Sequence, residues 1–434
     1  SLLSIGEERG SVLLIGAAWD GMGDVCMIRN QFEKGLAYSD KALEYLETSN
    51  HIVAQMNAQI HRGVFLYMLN QFAGSQEPFQ IALRLGEENQ EQEILAASGH
   101  ANYQMAVSWV GMGWPAKALE YARRSLRELT ISRAIQDPTI AHSIMGLAYY
   151  YLADYKEGRS HALQSIALAI QTDYWRMLGY ASANAGFNET ELASLGAAWN
   201  HAQKAIRVGK RHNHSEITSM GYKILGDIYM RLEALPQAAE AYQQGVDVDK
   251  GSFAMLENLA RLGLTLSLLG DPKGDAILQK ALGYAKDTGL DVVWGYSKAL
   301  ELGLFIVRDD LIAFEENLPE VKKYLKERTH PDGILWTKYL QALSLYRQNK
   351  MEQAEKQLEK LLPAFEGGPF FWIEFRSLKL YINTLHALGH ESSAPSAQLE
   401  EMLQHIEGAL GDAPLQEEWQ AFAKRTRTIK EKSL

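Results

Sequence analysis

Cysteine is nearly absent from this chain: Cys26 is the only one in 434 residues. That excludes a disulfide framework and any multi-cysteine metal cluster, and it fits a reducing, cytoplasmic setting. Proline is scarce at 11, about half the usual usage, and valine is scarce at 13. A long chain poor in helix breakers and in β-branched Val reads as helical throughout. Long apolar runs are also missing, so no membrane-spanning helix is expected. Basic charge is in deficit: 43 Lys and Arg stand against 53 Asp and Glu, for a net charge of −10. Direct nucleic-acid binding, which needs basic surface to displace counterions, is therefore not expected. What the chain has in quantity is apolar residues, at 47%, enough to bury a large core.

Those residues recur with a period. A small residue inside an apolar, aromatic helix can be followed through Gly23, Gly63, Ala106, Gly146, Gly186, Gly226, Leu262 (or Gly263), Gly303 and Ala342. The intervals are 40, 43, 40, 40, 40, 36, 41 and 39. Each unit reads as a helical hairpin in which Gly or Ala on the first helix lets the second helix cross closely. Small residues such as Ala238 or Gly158 answer from the second helix, and Tyr242 or Phe79 fills the gap to the next hairpin. A hairpin cannot bury both apolar faces alone, so the units must stack. About ten are expected, near 11–47, 51–88, 92–131, 137–171, 174–211, 215–250, 253–288, 292–327, 332–364 and 369–410, with an amphipathic capping helix over 414–431. Pro115, Pro138, Pro236, Pro272, Pro319, Pro395 and Pro414 are expected at helix starts, where a missing N–H costs least.

The pattern Tyr222, Leu225, Gly226, Tyr229, Ala238, Tyr242, with Gly245 in place of a final Ala, resembles the tetratricopeptide repeat (TPR). The unit at 292–327 departs from it, with Glu315 where Ala is expected and Pro319 where an aromatic is. The common TPR is about 34 residues long. A spacing near 40 with longer helices looks like the TPR-like region of MalT-type signal-transduction ATPases with numerous domains (STAND) and of related LuxR-type regulators. The resemblance implies an all-α, right-handed TPR-like solenoid forming one superhelical domain over 1–434. It further implies a sensor arm that reports to an NTPase domain of the same protein. No Walker motif is present here, since Gly209-Lys210 is followed by Arg211. The opening Ser1-Leu2-Leu3-Ser4-Ile5 carries neither a basic n-region nor a small-residue cleavage site. With no initiator Met, it reads as the start of a fragment.

Chemistry-bearing motifs are few. Gly21-Met22-Gly23-Asp24 and Gly111-Met112-Gly113 lie inside the repeat register with no strand before them, so they read as packing and turn rather than phosphate loops. His212-Asn213-His214-Ser215-Glu216 falls between hairpins and reads as a polar turn, and Cys26 as a buried thiol. No catalytic residue, metal or cofactor is expected. In TPR-like proteins the first helices line the concave face. The register places there His61, Tyr67, Tyr103, Tyr150, Tyr151, Tyr180, Asn184, Glu191, Lys223, Asp227, Arg231, Tyr339 and Arg347. An aromatic face with a few charges suits recognition of a peptide, a protein segment or a small-molecule inducer. The alternative is a passive scaffold that binds proteins through its convex face, where Arg123, Arg124 and Arg127 lie on a second helix, or through its ends.

Overall fold

The computed structural model describes residues 1–428 apart from 30, 88, 133–136, 250, 329 and 367. Among the described residues there are 22 α-helices and one 3-10 turn, with no strand. The short α1 (Leu2–Arg9) comes first, although the repeat pattern begins only at Val12; its Gly6 lies against Ile15 of α2. Ten helix pairs follow. They are α2 (Val12–Ile28) with α3 (Phe32–Leu46), α4 (Ile52–Met68) with α5 (Phe72–Leu85), α6 (Gln92–Gly111) with α7 (Pro115–Ile131), α8 (Asp137–Tyr151) with α9 (Tyr155–Gln171), and α10 (Trp175–Glu191) with α11 (Leu195–Arg211). Then come α12 (Ser215–Arg231) with α13 (Leu235–Val248), α14 (Phe253–Leu268) with α15 (Lys273–Thr288), α16 (Asp291–Val307) with α17 (Leu311–Glu327), α18 (Pro331–Arg347) with α19 (Met351–Leu361), and α20 (Phe371–Leu388) with α21 (Ser393–Gly408). The chain ends in α22 (Gln416–Arg427), whose Trp419 and Phe422 are buried. The fold is an all-α, TPR-like solenoid. No described helix is long and apolar enough to cross a membrane.

Local chemistry sets the helix ends. Ser11, Asp154, Ser252 and Asp310 each accept a hydrogen bond from the amide three residues on, capping α2, α9, α14 and α17. The turn inside each pair, from the second pair onward, passes through one left-handed residue: Asn70, Gly113, Ala153, Ala193, Glu233, Gly270, Asp309, Asn349 and Gly389. Most are not glycine, so surrounding contacts hold them in that conformation. The prolines follow the helix-start rule with exceptions. Pro115, Pro236 and Pro331 sit in the first turn, but Pro319 lies inside α17 and Pro78 inside α5.

The small residues work in two ways. A Cβ at Gly146 would lie 3.1 Å from the Gly158 carbonyl and 3.2 Å from Ala162, a close crossing of helix backbones. At Gly63 and Gly226 the notch instead holds a ring of the same hairpin, Phe79 at 2.4 Å and Tyr242 at 2.3 Å from the added Cβ. These rings fill the notch of their own hairpin and also pack on the next one, Phe79 with Ile94 and Met105 of α6 and Tyr242 with Leu262 of α14. A ring is larger than any small residue and needs the whole vacant Cβ volume. Asn188 and Asn258 lie against Gly158 and Gly245 and donate their amides to the carbonyls of Gly146 and Ser219, tying neighbouring hairpins together.

The solenoid coils tightly enough for its later turns to meet its earlier ones. Asn70 donates to the Tyr284 hydroxyl at 3.1 Å, and Arg328 lies 4.0 Å over the Trp114 ring. The His330 ring donates to the Tyr151 carbonyl at 3.1 Å, and the Trp372 indole to the Thr190 carbonyl at 2.7 Å. The Gly196 amide donates to the Ala409 carbonyl at 2.9 Å, and Arg425 to the Leu232 carbonyl at 3.0 Å. Turns of the second to sixth pairs thus abut residues of the seventh to tenth pairs and α22. This seam narrows the interior, where the inner faces of the first helices gather.

Candidate functional site

Successive first helices lie side by side, so residues about one repeat apart become neighbours. On the inner face of α4, α6, α10 and α12 this gathers Tyr67, Tyr103, Tyr180 and Glu216, all half-buried, with Arg176 exposed beside them. The Tyr180 hydroxyl donates to the Glu216 carboxylate. Burial pushes the Glu216 carboxyl up, and the Tyr180 hydrogen bond and Arg176 only partly offset it. Burial also raises the Tyr67 and Tyr103 phenols, with the Glu216 charge adding to each. At neutral pH these rings are neutral donors around one carboxylate and one guanidinium. That set can hydrogen-bond both the N–H and C=O groups of an extended backbone.

A second network surrounds Lys223. The Lys223 side chain is completely buried, 3.6 Å from Asp227 and 3.5 Å from Glu257, with its ammonium 3.8 Å over the Phe187 ring. Arg261 lies 2.9 Å from Asp227 and 3.6 Å from Glu257. Arg231 grips both oxygens of Glu191, at 2.6 and 2.7 Å. Burial pulls the Lys223 amine down, with Glu257 opposing. Burial alone would raise Asp227, but Arg261, Lys223 and the Tyr242 hydroxyl hold its carboxyl below the usual range. Tyr150 and Tyr151 wall the cluster, and Tyr151 donates to Glu257 at 3.4 Å. Across the seam, Tyr155 and Tyr296 donate to Asp332, whose carboxyl is pushed up by burial.

The inner-face residues expected from sequence thus divide. Tyr67, Tyr103 and Tyr180 belong to the half-buried set. Tyr150, Tyr151, Glu191, Lys223, Asp227 and Arg231 belong to the Lys223 network, in which Tyr150, Tyr151 and Lys223 are buried and Glu191, Asp227 and Arg231 half-buried. Asn184 is buried and spends its amide on the Ser143 carbonyl at 2.9 Å, so it is a tie between helices. His61 stands apart, 2.9 Å from Asp20 and 3.5 Å from Asp24 on α2; burial lowers its pKa, but those carboxylates raise it above the usual histidine value. Tyr339 is buried beside a small cavity of about 60 Å³ that it shares with Arg231, Trp372 and Arg376. Arg347 is exposed at the end of α18, away from both sets.

Arg176, Glu216, Glu257, Arg261, Asp332 and Trp372 complete the two networks and were not expected from sequence. The signal for some of them was present. Opposite charges one repeat apart, as in Glu191 and Arg231 forty residues on, face each other across adjacent first helices. The polar stretch 212–216 is consumed locally: His212 stacks on Trp175 at 4.1 Å, His214 caps α12 and Glu216 turns inward. Among the described residues, no group of three or more His, Cys, Asp or Glu is placed to hold a metal ion, and Cys26 is buried.

No protein-family model and no curated protein sequence matches the chain. Solved structures do. A Rap protein complexed with competence and sporulation factor is 12% identical with a TM-score of 0.54, over 91% of this chain and 99% of that one. NprR in complex with its cognate peptide NprX is 10% identical with a TM-score of 0.57, over 81% and 99%. The Rap conjugation gene regulator of plasmid pLS20, in complex with the Phr* peptide, is 12% identical with a TM-score of 0.51, over 72% and 95%. At these identities the likeness is one of fold.

Proposed function

We propose that the chain is the peptide-recognising sensor arm of a regulatory protein. It reads an extended peptide along the inner face at Tyr67, Tyr103, Arg176, Tyr180 and Glu216 and reports occupancy to a switch domain, in the manner of the MalT-type ATPases it resembles. The observation that carries this reading is the half-buried cluster of three neutral phenols around one arginine and one carboxylate, in a concavity whose neighbouring charges are already paired. Rigid amphipathic rings give contact area at low entropic cost. The Tyr67 and Tyr103 phenols and the exposed Arg176 at such a place are available to a ligand, whereas the completely buried Lys223 is not. The peptide complexes of the three solved relatives in fold support the same class of ligand.

The test is to select binders from a random peptide library on the whole chain and measure their affinity for Tyr103→Ala, Arg176→Ala and Tyr180→Ala. A loss of at least tenfold in each, about 1.4 kcal/mol, is expected. Unchanged affinity in all three overturns the inner-face assignment. The scaffold reading rests on the exposed Arg123, Arg124 and Arg127, although Arg124 already pairs with Glu120 and Arg123 with the Tyr149 hydroxyl. Reversing those three charges should leave peptide affinity unchanged if the inner face binds.

A further inference from the structure

The close crossing seen at Gly146 and Gly263 is absent at Gly303 in the α16/α17 pair. At Gly263 of α14, an added Cβ would strike the partner helix at once, 2.5 Å from the Leu278 amide. At Gly303 of α16 the same atom would meet only Trp336 at 3.4 Å and Leu340 at 3.7 Å, both on α18, and nothing from α17. The cause is visible in α17. Glu315 and Pro319 stand at the positions where the repeat pattern places an Ala and an aromatic ring. Without a small residue or a ring at these positions, α17 does not reach Gly303, although its Tyr324 ring fills the notch at Gly295 of the same pair.

A cavity of about 640 Å³ opens between α17, α18 and α19. Lys322, Lys326, Lys338 and Lys360 line it, with Ile334 and Leu361 as apolar wall and no carboxylate. Lys322 donates to the Gln341 amide oxygen at 2.7 Å. Burial lowers the Lys322 pKa; Glu315 on its own helix opposes that, and Lys338 across the groove adds to it. Lys326, Lys338 and Lys360 are exposed and form no ion pair among the described residues; the one lysine pair on α17 is Lys323 with Glu327. On a chain of net charge −10, four lysines lining one cavity are a local exception to the acidic balance, with Glu315 opposing only at Lys322. An anion entering the cavity is attracted by all four.

Size narrows the ligand. Pockets for small organic molecules run from roughly 300 to 1,000 Å³, so a bare phosphate would leave most of this one empty. The lysines are point-charge donors suited to phosphoryl oxygens, and Ile334 and Leu361 offer surface to an apolar moiety. We propose that the α17–α19 groove binds a phosphorylated small molecule of about nucleotide size, with its phosphoryl oxygens on Lys322, Lys326, Lys338 and Lys360 and its apolar part against Ile334 and Leu361. The site is independent of the peptide reading, since none of its residues lies in either inner-face network.

The experiment titrates magnesium-free ATP, pyrophosphate and a poly-glutamate peptide into the whole chain by calorimetry at about 0.15 M salt, where surface charge is screened beyond about 8 Å. Saturable ATP binding is expected, with pyrophosphate at least tenfold weaker. The double variant Lys338→Glu, Lys360→Glu should weaken ATP at least tenfold while keeping its circular dichroism spectrum, because both side chains are exposed. If that variant misfolds, Lys326→Gln gives the same reading with one neutral change. Absence of saturable ATP binding, ATP affinity unchanged in the variants, pyrophosphate as tight as ATP, or binding of poly-glutamate alone would each overturn the proposal.

Discussion

The network around Lys223 and the groove on α17–α19 are both built from charged residues on neighbouring repeats, yet they differ in every physical respect. Inside, three cations (Lys223, Arg231, Arg261) face three anions (Glu191, Asp227, Glu257), with Lys223 completely buried at the centre. In the groove, four lysines line an open cavity with no acid. The first arrangement balances its own charge and ties α10, α12 and α14 together. The second is left unsatisfied by the chain alone. Charge on a repeat protein therefore signals a ligand only when it is both accessible and unbalanced.

The largest effect should come from breaking the balance inside. Arg261→Met leaves two buried carboxylates, Asp227 and Glu257, with Lys223 alone between them. Removing one partner of a buried pair costs about 3–5 kcal/mol, to be read as a shift in urea midpoint at constant slope. The same network sets an acid limit. Asp227 titrates below its usual 3.8 in the folded state, so its contribution is present above about pH 3.8 and is lost as pH falls through the lower folded value. Glu216 and Asp332 are displaced upward and act in the opposite sense, gaining stability as pH falls toward 4.5 and 3.8. Burial also pulls His142, His201, His214 and His330 down to about 4, so stability should already decline as pH falls from about 6.5 toward that value. The Asp227 contribution is lost below that range, and Asp227→Asn should flatten only this most acidic part of the decline. An unchanged profile below pH 4 in Asp227→Asn would show that Asp227 is not the element titrating there.

A smaller effect is expected at the seam, where the two halves of the solenoid meet. Gly196 opens α11 with its amide on the Ala409 carbonyl, and a Cβ there would lie 2.1 Å from the Leu410 carbonyl oxygen. Both obstacles are backbone, so Gly196→Ala must push α21 away from α11. A loss of about 1–3 kcal/mol is expected, in the range of overpacked cores. The change should also raise proteolytic cleavage after α20 more than within α4–α9. Unaltered stability would mean that the later turns rest on the earlier ones without constraint.

The seam marks the boundary of what the sequence could tell. The period was legible because Gly63, Gly146 and Gly226 repeat a local requirement, room for a ring or a crossing helix, and a local requirement leaves a local trace. The ion pair of Glu191 with Arg231 was legible in principle, since one repeat separates its members. Trp372 on the Thr190 carbonyl was not, because 182 residues intervene and their separation depends on how tightly the whole superhelix coils. That coiling sums small rotations at every hairpin. For the same reason the inner-face assignment could not separate Tyr103, which is half-buried, from Lys223, which is completely buried. Likewise the departure at Glu315 and Pro319 was visible as an irregular repeat, while the cavity it opens depends on where α19 comes to rest.

The smallest stability change belongs to the groove, and its sign is the sharpest contrast with the interior. Lys338→Gln removes one of four convergent like charges from an exposed position, so it should cost nothing and gain a few tenths of a kcal/mol, the scale of exposed charge interactions. The gain should shrink as salt is raised, because screening already weakens the repulsion that the substitution removes. In Arg261→Met the loss should be nearly insensitive to salt, since buried pairs are little screened. A thermal-melt series of both variants at low and high salt therefore separates the two kinds of charge in one measurement. Were Lys338→Gln destabilising, the lysines would be held by the fold itself, and the groove would belong with the interior as structural charge.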